Sequence, residues 1–409
     1  MSNKKKVMLM AFLYQAFIGL CGGALGIIIL PVAEEFGITP DQVAATFSVF
    51  SLGSTIFTIS TTSIILTLLS IRKTVVAGAI LLIAGAATIF AANSITAFYI
   101  AMLFFGFGVG LSFAMGQYLI LSTFEGKERN AKISLLNFFY SAGGVIWPIA
   151  GAFIMSKAGV SWKFVFTGPA ILILVNAVLC LGTDFSYLKP EKKVKQEKQK
   201  TGFMGEIRKW PVTVWLVGLA AFMYTMSAIT LTTWLVPYAQ EGAGVDAVVA
   251  AGMFSTFWLF VGVGRALWAV ALKKVPAEYF LVGGACFTAL MVFTFRMLGS
   301  SVAGLIWIMM AGLGFGFSAL QSVLNSYGTL QVKVASRAIV TLFLGIGSLG
   351  PVVAPIISSN IQKVLGYDGV VLSSAIWMVG VSVLILSAVL YNKARGYKPY
   401  ETAEQEVDS

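Results

Sequence analysis

The sequence predicts an all-α membrane protein with twelve transmembrane helices arranged as two related six-helix halves. Of its 409 residues, 58% are hydrophobic and only 11% are charged, whereas a soluble domain is about half apolar and about a quarter charged. Apolar stretches of about 20 residues, the length that a helix needs to cross the bilayer, recur along the whole chain. Because a spanning segment must satisfy its own backbone polar groups, we expect these stretches to be helices.

Twelve candidate spans account for most of the chain. They are residues 7–30, 43–69, 74–92, 97–122, 133–156, 164–184, 211–236, 247–272, 279–298, 302–324, 338–359 and 370–391. The one long hydrophilic interruption carries eight basic residues and separates the sixth span from the seventh. The predicted organisation is an N-terminal six-helix bundle (1–184), a basic cytoplasmic linker (185–210), a C-terminal six-helix bundle (211–391) and a cytoplasmic tail (392–409).

The distribution of Lys and Arg predicts how the chain is oriented in the membrane. With the N-terminus in the cytoplasm, 23 of the 28 basic residues lie in cytoplasmic segments, and only Lys157, Lys163 and Lys363 lie in outer loops. Cytoplasmic loops of membrane proteins are enriched in Lys and Arg in this way. We therefore expect both termini to be cytoplasmic in an inner-membrane protein. The net charge of +11 is explained by a basic face near anionic lipid, and no nucleic-acid partner is expected.

The two halves resemble each other at an offset of about 206 residues. The matching segments occur in the same order: 31–35 with 237–241, 47–52 with 254–259, 76–79 with 282–285, Gly106, Gly108 and Gly110 with Gly312, Gly314 and Gly316, and Gly144 and Pro148 with Gly347 and Pro351. Parallel six-helix repeats of this kind are typical of transporters that bind substrate near the bilayer midplane, at the repeat interface.

With this repeat, the sequence resembles the major facilitator superfamily along nearly its whole length. Asn137-Phe138-Phe139, followed by Gly143-Gly144 and Pro148, resembles span 5 of the fucose-permease-like branch, and residues 124–129 resemble TsgA-like transporters. The resemblance implies alternating access around a central cavity lined chiefly by spans 1, 4, 7 and 10. The sequence departs from the pattern twice. The loop 69–73 keeps only the basic pair of the usual loop, and spans 1 and 4 lack the carboxylates that fucose permeases use for proton coupling.

The acidic residues bear on how transport is coupled. None of the 17 lies in the middle of a predicted span, and the chain contains no histidine. Proton-coupled transporters commonly use an intramembrane carboxylate or histidine relay. The sequence therefore argues against the standard proton-symport mechanism and leaves open a role for an interfacial acid such as Asp184, at the inner end of span 6. The chain shows no catalytic triad and no metal cluster, and we expect neither an enzyme nor a cofactor.

Arg265 is the sharpest single feature because it lies well inside span 8. An Arg in the middle of a membrane helix costs at least ~2.5–3.5 kcal/mol on insertion scales, and the sequence offers no buried acid to pair with it. One interpretation is that its guanidinium binds a carboxylate or phosphate group of the substrate. The other is that it caps backbone carbonyls or snorkels to the cytoplasmic face. Arg296, near the outer end of span 9, is expected to snorkel outward.

Uncharged polar residues at a comparable depth complete the candidate site. The predicted substrate-binding residues are Arg265, Gln321, Tyr14, Gln117, Asn137 and Tyr224. For any one of the uncharged residues, hydrogen bonding between helices explains its presence as well as substrate contact does. The glycine runs are assigned to close helix packing, because they lack the strand-to-helix context of a phosphate-binding loop.

The predicted function is secondary active or facilitative transport of a small organic solute by alternating access, and Arg265 favours an anionic solute. The alternatives are a proton-coupled exporter of drugs or toxic compounds, a sugar permease and a non-transporting membrane sensor. A sensor would need a folded output domain, for which the linker and the tail are too short and too polar. The expected partners are the substrate and the lipid bilayer, and the chain is expected to be a monomer.

Overall fold

The computed structural model describes residues 2–186, 188, 210–272, 274–298, 305–332 and 337–397, and every regular element in these ranges is helical. The helices are α1 Asn3–Phe36, α2 Pro40–Leu68, α3 Ile71–Ala91, α4 Ile95–Thr123, α5 Gly126–Ala158, α6 Trp162–Leu181, α7 Val212–Gly242, α8 Ala247–Ala271, α9 Ala277–Leu298 and α10 Leu305–Thr329, followed by the helical stretch Arg337–Ala394.

The last helical stretch, Arg337–Ala394, contains two transmembrane helices joined at Gly366. At this residue φ is 68° and ψ is −169°, a combination that is essentially restricted to glycine. The stretch therefore divides into α11 (337–365) and α12 (367–394). Eleven helical stretches in the described part of the chain are long and apolar enough to cross a membrane. Dividing the last one at Gly366 gives twelve, which confirms the predicted fold class. The loop expected at 360–369 is instead helix on both sides of a one-residue turn.

The chain forms two compact units. Unit 1 contains residues 1–194 and 235–259, and unit 2 contains residues 195–234 and 260–409. The end of α7 and the first half of α8 thus belong to unit 1, although they follow the linker in the sequence. The predicted bundle boundaries remain a prediction, and most of the linker and the tail beyond residue 397 lie outside the described residues.

Glycines allow α2 and α4 of unit 1 to lie in close contact. A Cβ atom on Gly106 would collide with the backbone oxygen of Phe50, and one on Gly110 would collide with that of Ser54. Close approach of helix backbones at small residues is a general way of associating helices in membranes. The packing role predicted for this glycine run is therefore confirmed.

Two cations cap the end of α6 in unit 1. The Lys6 ammonium and the Arg72 guanidinium donate hydrogen bonds to the carbonyl oxygens of Gly182 and Thr183, respectively. The last carbonyls of a helix have no partner within it and carry partial negative charge, so basic side chains stabilise them. These caps connect the start of α1 and the start of α3 to the end of α6.

Candidate functional site

The candidate site of unit 2 is organised around a break in α10. This helix consists of α10a, Leu305–Phe317, and α10b, Leu320–Thr329, with Ser318 and Ala319 forming a turn between them. A break inside a membrane-spanning helix frees backbone carbonyl groups, which then need other hydrogen-bond donors. Broken helices are typical of transporter binding sites, where the free ends of the half-helices face the substrate or an ion.

Side chains from α7 and α8 cap the carbonyl groups at this break. The Tyr224 hydroxyl on α7 donates a hydrogen bond to the Phe317 oxygen at 2.7 Å. The Nε of Arg265 on α8 donates one to the Ser318 oxygen at 3.2 Å. Gly264 lets α8 come this close, because a Cβ atom there would collide with the Ser318 Oγ and lie 2.7 Å from the Ser318 Cβ. Three helices of unit 2 therefore meet at the break.

Most of the hydrogen-bonding capacity of Arg265 is unused. A guanidinium carries five N–H donors, and only the one on Nε has an acceptor among the described residues. No carboxylate in the described part of the chain pairs with it, and the side chain is exposed. The two Nη groups therefore offer a planar pair of donors that suits the end-on binding of a carboxylate or phosphate.

The first half of α8 packs within unit 1 through Trp258. Trp258 precedes Arg265 by seven residues, and residues seven apart lie two turns apart on one helix face. The Trp258 ring lies 5.9 Å from the ring of Tyr140 on α5, and a Cβ atom on Gly144 would lie 3.4 Å from it. At Trp258 this face of α8 therefore packs against α5 within unit 1.

Unit 1 contains a neutral counterpart of the Arg265 cap. Thr58 on α2 precedes Arg265 by 207 residues, close to the offset that relates the two halves. Its hydroxyl donates to the Gly110 oxygen on α4 at 3.1 Å. In each half, a side chain of the second helix thus binds a carbonyl group of the fourth helix, but only Arg265 brings a charge.

Gln321 lies one turn beyond the break, on α10b. Its Nε2 donates to the Asn325 Oδ1 at 3.0 Å, and its Oε1 has no hydrogen-bond partner among the described residues. The Gln321 side chain also approaches Gly347 of α11, where a Cβ atom would lie 3.7 Å from Nε2. Gln321 therefore brings an unpaired amide oxygen to the same part of unit 2.

The remaining predicted site residues belong to unit 1. Tyr14 on α1 is fully buried, and its hydroxyl has no partner among the described residues. Gln117 on α4 is half-buried, and Asn137 on α5 is exposed. The predicted site residues thus form two groups, Arg265, Gln321 and Tyr224 in unit 2 and Tyr14, Gln117 and Asn137 in unit 1. Their contact with substrate stays a prediction.

Arg296 and Asp184, the other charged residues singled out in the sequence, have local partners. Arg296 forms an ion pair with Asp368, at a distance of 3.6 Å, next to the turn at Gly366. Asp184 is exposed beyond the end of α6. The backbone N–H and the hydroxyl of Ser186 donate to its carboxylate and lower the pKa of Asp184 below its usual value. Asp184 therefore stays charged near neutral pH, which makes it a poor proton carrier.

Comparison with known proteins identifies the family. The sequence model of the Major Facilitator Superfamily matches residues 8–355. The chain belongs to the major facilitator superfamily. Curated relatives include Protein TsgA of Escherichia coli O17:K52:H18 and Protein TsgA of Escherichia coli O9:H4. Each is 24% identical over 373 residues, which cover 91% of this chain and 92% of the relative.

Solved structures share the fold of this superfamily member. A bacterial homolog of the human lysosomal transporter Spinster, in an inward-facing and unoccupied conformation, matches with a TM-score of 0.71 at 14% identity over 94% of this chain and 97% of that chain. A mutant of the nucleoside transporter NupG matches with a TM-score of 0.72 at 12% identity over 95% and 100%. Together with the family, these matches confirm a multi-pass membrane transporter rather than an enzyme.

Proposed function

We propose that this superfamily member carries a small organic anion across the inner membrane by alternating access, as a facilitator or exchanger, with both termini in the cytoplasm. The observation that carries the proposal is the geometry of Arg265. Its Nε donates to the Ser318 oxygen at 3.2 Å, and neither Nη group has an acceptor among the described residues. An anionic group on the substrate would supply hydrogen-bond acceptors for the two Nη groups and a negative charge to balance the guanidinium. The described residues supply neither.

The anchored guanidinium favours an anion over a neutral solute for two physical reasons. A charge-assisted pair of parallel hydrogen bonds is about twice as strong as its neutral equivalent. In addition, a guanidinium already fixed at Nε loses less conformational freedom on binding than a free side chain does. A sugar would satisfy some N–H groups of Arg265 but would leave its charge unbalanced.

The charge inventory also supports transport without an obligatory proton gradient. No Asp or Glu lies in the middle of a predicted span, and histidine is absent. Asp184, the interfacial candidate, has a lowered pKa because Ser186 donates two hydrogen bonds to its carboxylate. Uptake in energised vesicles should therefore survive a protonophore. Abolished uptake, together with proton-dependent counterflow exchange, would show that coupling was assigned wrongly.

The substrate class can be tested by ligand-induced stabilisation. A ligand that binds only the native state raises its stability in proportion to the logarithm of ligand concentration over Kd. Purified protein would be heated with succinate, citrate, benzoate and inorganic phosphate as anionic probes, and with glucose and uridine as neutral ones. We expect at least one anion, and neither neutral probe, to raise the melting temperature of the wild-type protein.

Two substitutions at Arg265 and one control complete this test. Arg265→Gln should abolish the anion-induced shift while the protein still folds, because an uncompensated charge is removed. Arg265→Lys should weaken binding at least about tenfold, since Lys keeps the charge but loses the planar pair of donors. Arg296→Gln is the matched control in unit 2 and should bind like wild type. Normal anion binding by Arg265→Gln, or stabilisation by the neutral probes alone, would refute the proposal.

A further inference from the structure

We infer that Tyr224 is a positioning residue that fixes the guanidinium of Arg265 through the break in α10. This assigns Tyr224 a role other than the predicted direct contact with substrate. The geometric part of the inference concerns unit 2 alone. Its consequence for anion binding rests on the proposed function of Arg265.

The hydroxyl of Tyr224 is committed to the protein. It donates its only proton to the Phe317 oxygen at 2.7 Å, and the residue is 8% exposed. The ring lies 5.9 Å from the ring of Phe317, so both parts of the side chain are used in holding the end of α10a. A phenol in this arrangement has no proton left to donate to a substrate.

The carbonyl group that accepts a hydrogen bond from Tyr224 is adjacent in the sequence to the carbonyl group that accepts one from Arg265. Phe317 and Ser318 are consecutive, and a planar peptide group connects the two carbonyl-bearing residues. Only the φ and ψ torsions of Ser318 separate the two carbonyl groups, so fixing the Phe317 carbonyl limits the directions in which the Ser318 carbonyl can point. Because the Arg265 Nε follows the Ser318 oxygen, the plane of the guanidinium and the direction of its two Nη groups are restricted as well.

Contacts on both sides of the break also hold it in place. On the α10a side, the backbone N–H and the hydroxyl of Ser318 both donate to the Phe315 oxygen, at 3.3 and 2.7 Å. Across the interface with α8, the break rests against Gly264, where there is no room for a Cβ atom. Removing the Tyr224 hydroxyl should therefore let the break rotate. Displacing the break from α8 should have the same effect.

A chemical probe of the guanidinium tests this coupling without a substrate. Phenylglyoxal condenses with accessible arginine side chains, and mass spectrometry of peptides gives the reaction rate at each arginine. Tyr224→Phe keeps the ring and removes only the hydroxyl. We expect this variant to react at Arg265 at least about threefold faster, the change in population that the loss of one ordinary hydrogen bond produces.

A second variant and two controls make the outcome specific. Gly264→Ala displaces the break from α8 and should also raise the rate at Arg265. The rate at Arg296, which is paired with Asp368 in the same unit, should not change in either variant. Tyr279→Phe makes the same chemical change at an exposed position of α9 and should leave Arg265 at its wild-type rate.

The possible outcomes separate this inference from the proposed function. Faster reaction at Arg265 alone, in both variants, supports the positioning role. An unchanged rate at Arg265 in both variants overturns it, and so does an equal rise at Arg296, which would mean general loosening of the unit. The proposed function fails on a different result, retained anion binding by Arg265→Gln.

Discussion

Gly366 makes the turn between α11 and α12 on its own, so the connection should depend on this one residue. Its φ of 68° and ψ of −169° lie in a region that a residue with a Cβ atom enters at a cost of about 1–3 kcal/mol. No atom lies within 4 Å of the position that a Cβ would occupy. The cost of Gly366→Ala is therefore one of backbone conformation and not of collision with a neighbour.

Gly366→Ala should lower the free energy of unfolding by about 1–3 kcal/mol. For a cooperative unit of roughly 150–250 residues, this corresponds to a melting temperature roughly 2–12 °C lower. The measurement is thermal unfolding of purified protein in detergent, followed by tryptophan fluorescence. Gly345→Ala is the matched control, because Gly345 lies within α11 and also has open space around it. Its substitution should be neutral or stabilising by about 0.5–1 kcal/mol.

The comparison between these two glycines tests whether the backbone conformation of Gly366 alone makes the turn between α11 and α12. The reasoning would be refuted if the melting temperature of Gly366→Ala were equal to or higher than that of Gly345→Ala. Such a result would mean that residues 360–369 form an ordinary loop, as hydropathy alone suggests, in which alanine is tolerated.

Three further predictions concern unit 1 and the membrane topology. Gly110→Ala should lower the free energy of unfolding by about 1–3 kcal/mol through overpacking of α2 against α4. Gly22→Ala, where the glycine has open space around it, should not lower it. Equal melting temperatures of the two variants would contradict the close contact between α2 and α4. Arg72→Ala removes a cap from the end of α6 and should cost about 0.3–1 kcal/mol in low salt and less in high salt. In a background without the exposed native cysteine, an impermeant maleimide added outside cells should label Lys157→Cys and not Lys195→Cys, and the opposite pattern would reverse the orientation.

The number and type of the spans could be predicted from the sequence, but the helix ends could not. Hydropathy locates the hydrocarbon boundary, whereas a helix continues for as long as its backbone hydrogen bonds do. The first span was therefore predicted as 7–30, although α1 extends over Asn3–Phe36. For the same reason a loop was expected at 360–369, although these residues are helical on both sides of Gly366.

The break in α10 was not predicted because its cause is not local. The segment around Ser318 contains no proline, and its hydropathy is that of an ordinary spanning helix. The donors that stabilise the free carbonyls are Tyr224 and Arg265, which lie 93 and 53 residues away from their acceptors in the sequence. Only the tertiary fold brings them together, so sequence reasoning could identify both side chains as polar residues inside predicted spans but not the carbonyl groups to which they donate.

The two interpretations of Arg265 that the sequence left open, a carbonyl cap and an anion ligand, are compatible with each other. The cap uses Nε alone, and the ligand role needs only the two Nη groups. Thr58 shows that a neutral hydroxyl can make the corresponding contact to a carbonyl in the other half. Capping therefore does not require a charge, and placing one in a membrane helix costs at least ~2.5–3.5 kcal/mol. The charge of Arg265 thus needs a reason beyond capping, and an anionic substrate supplies one.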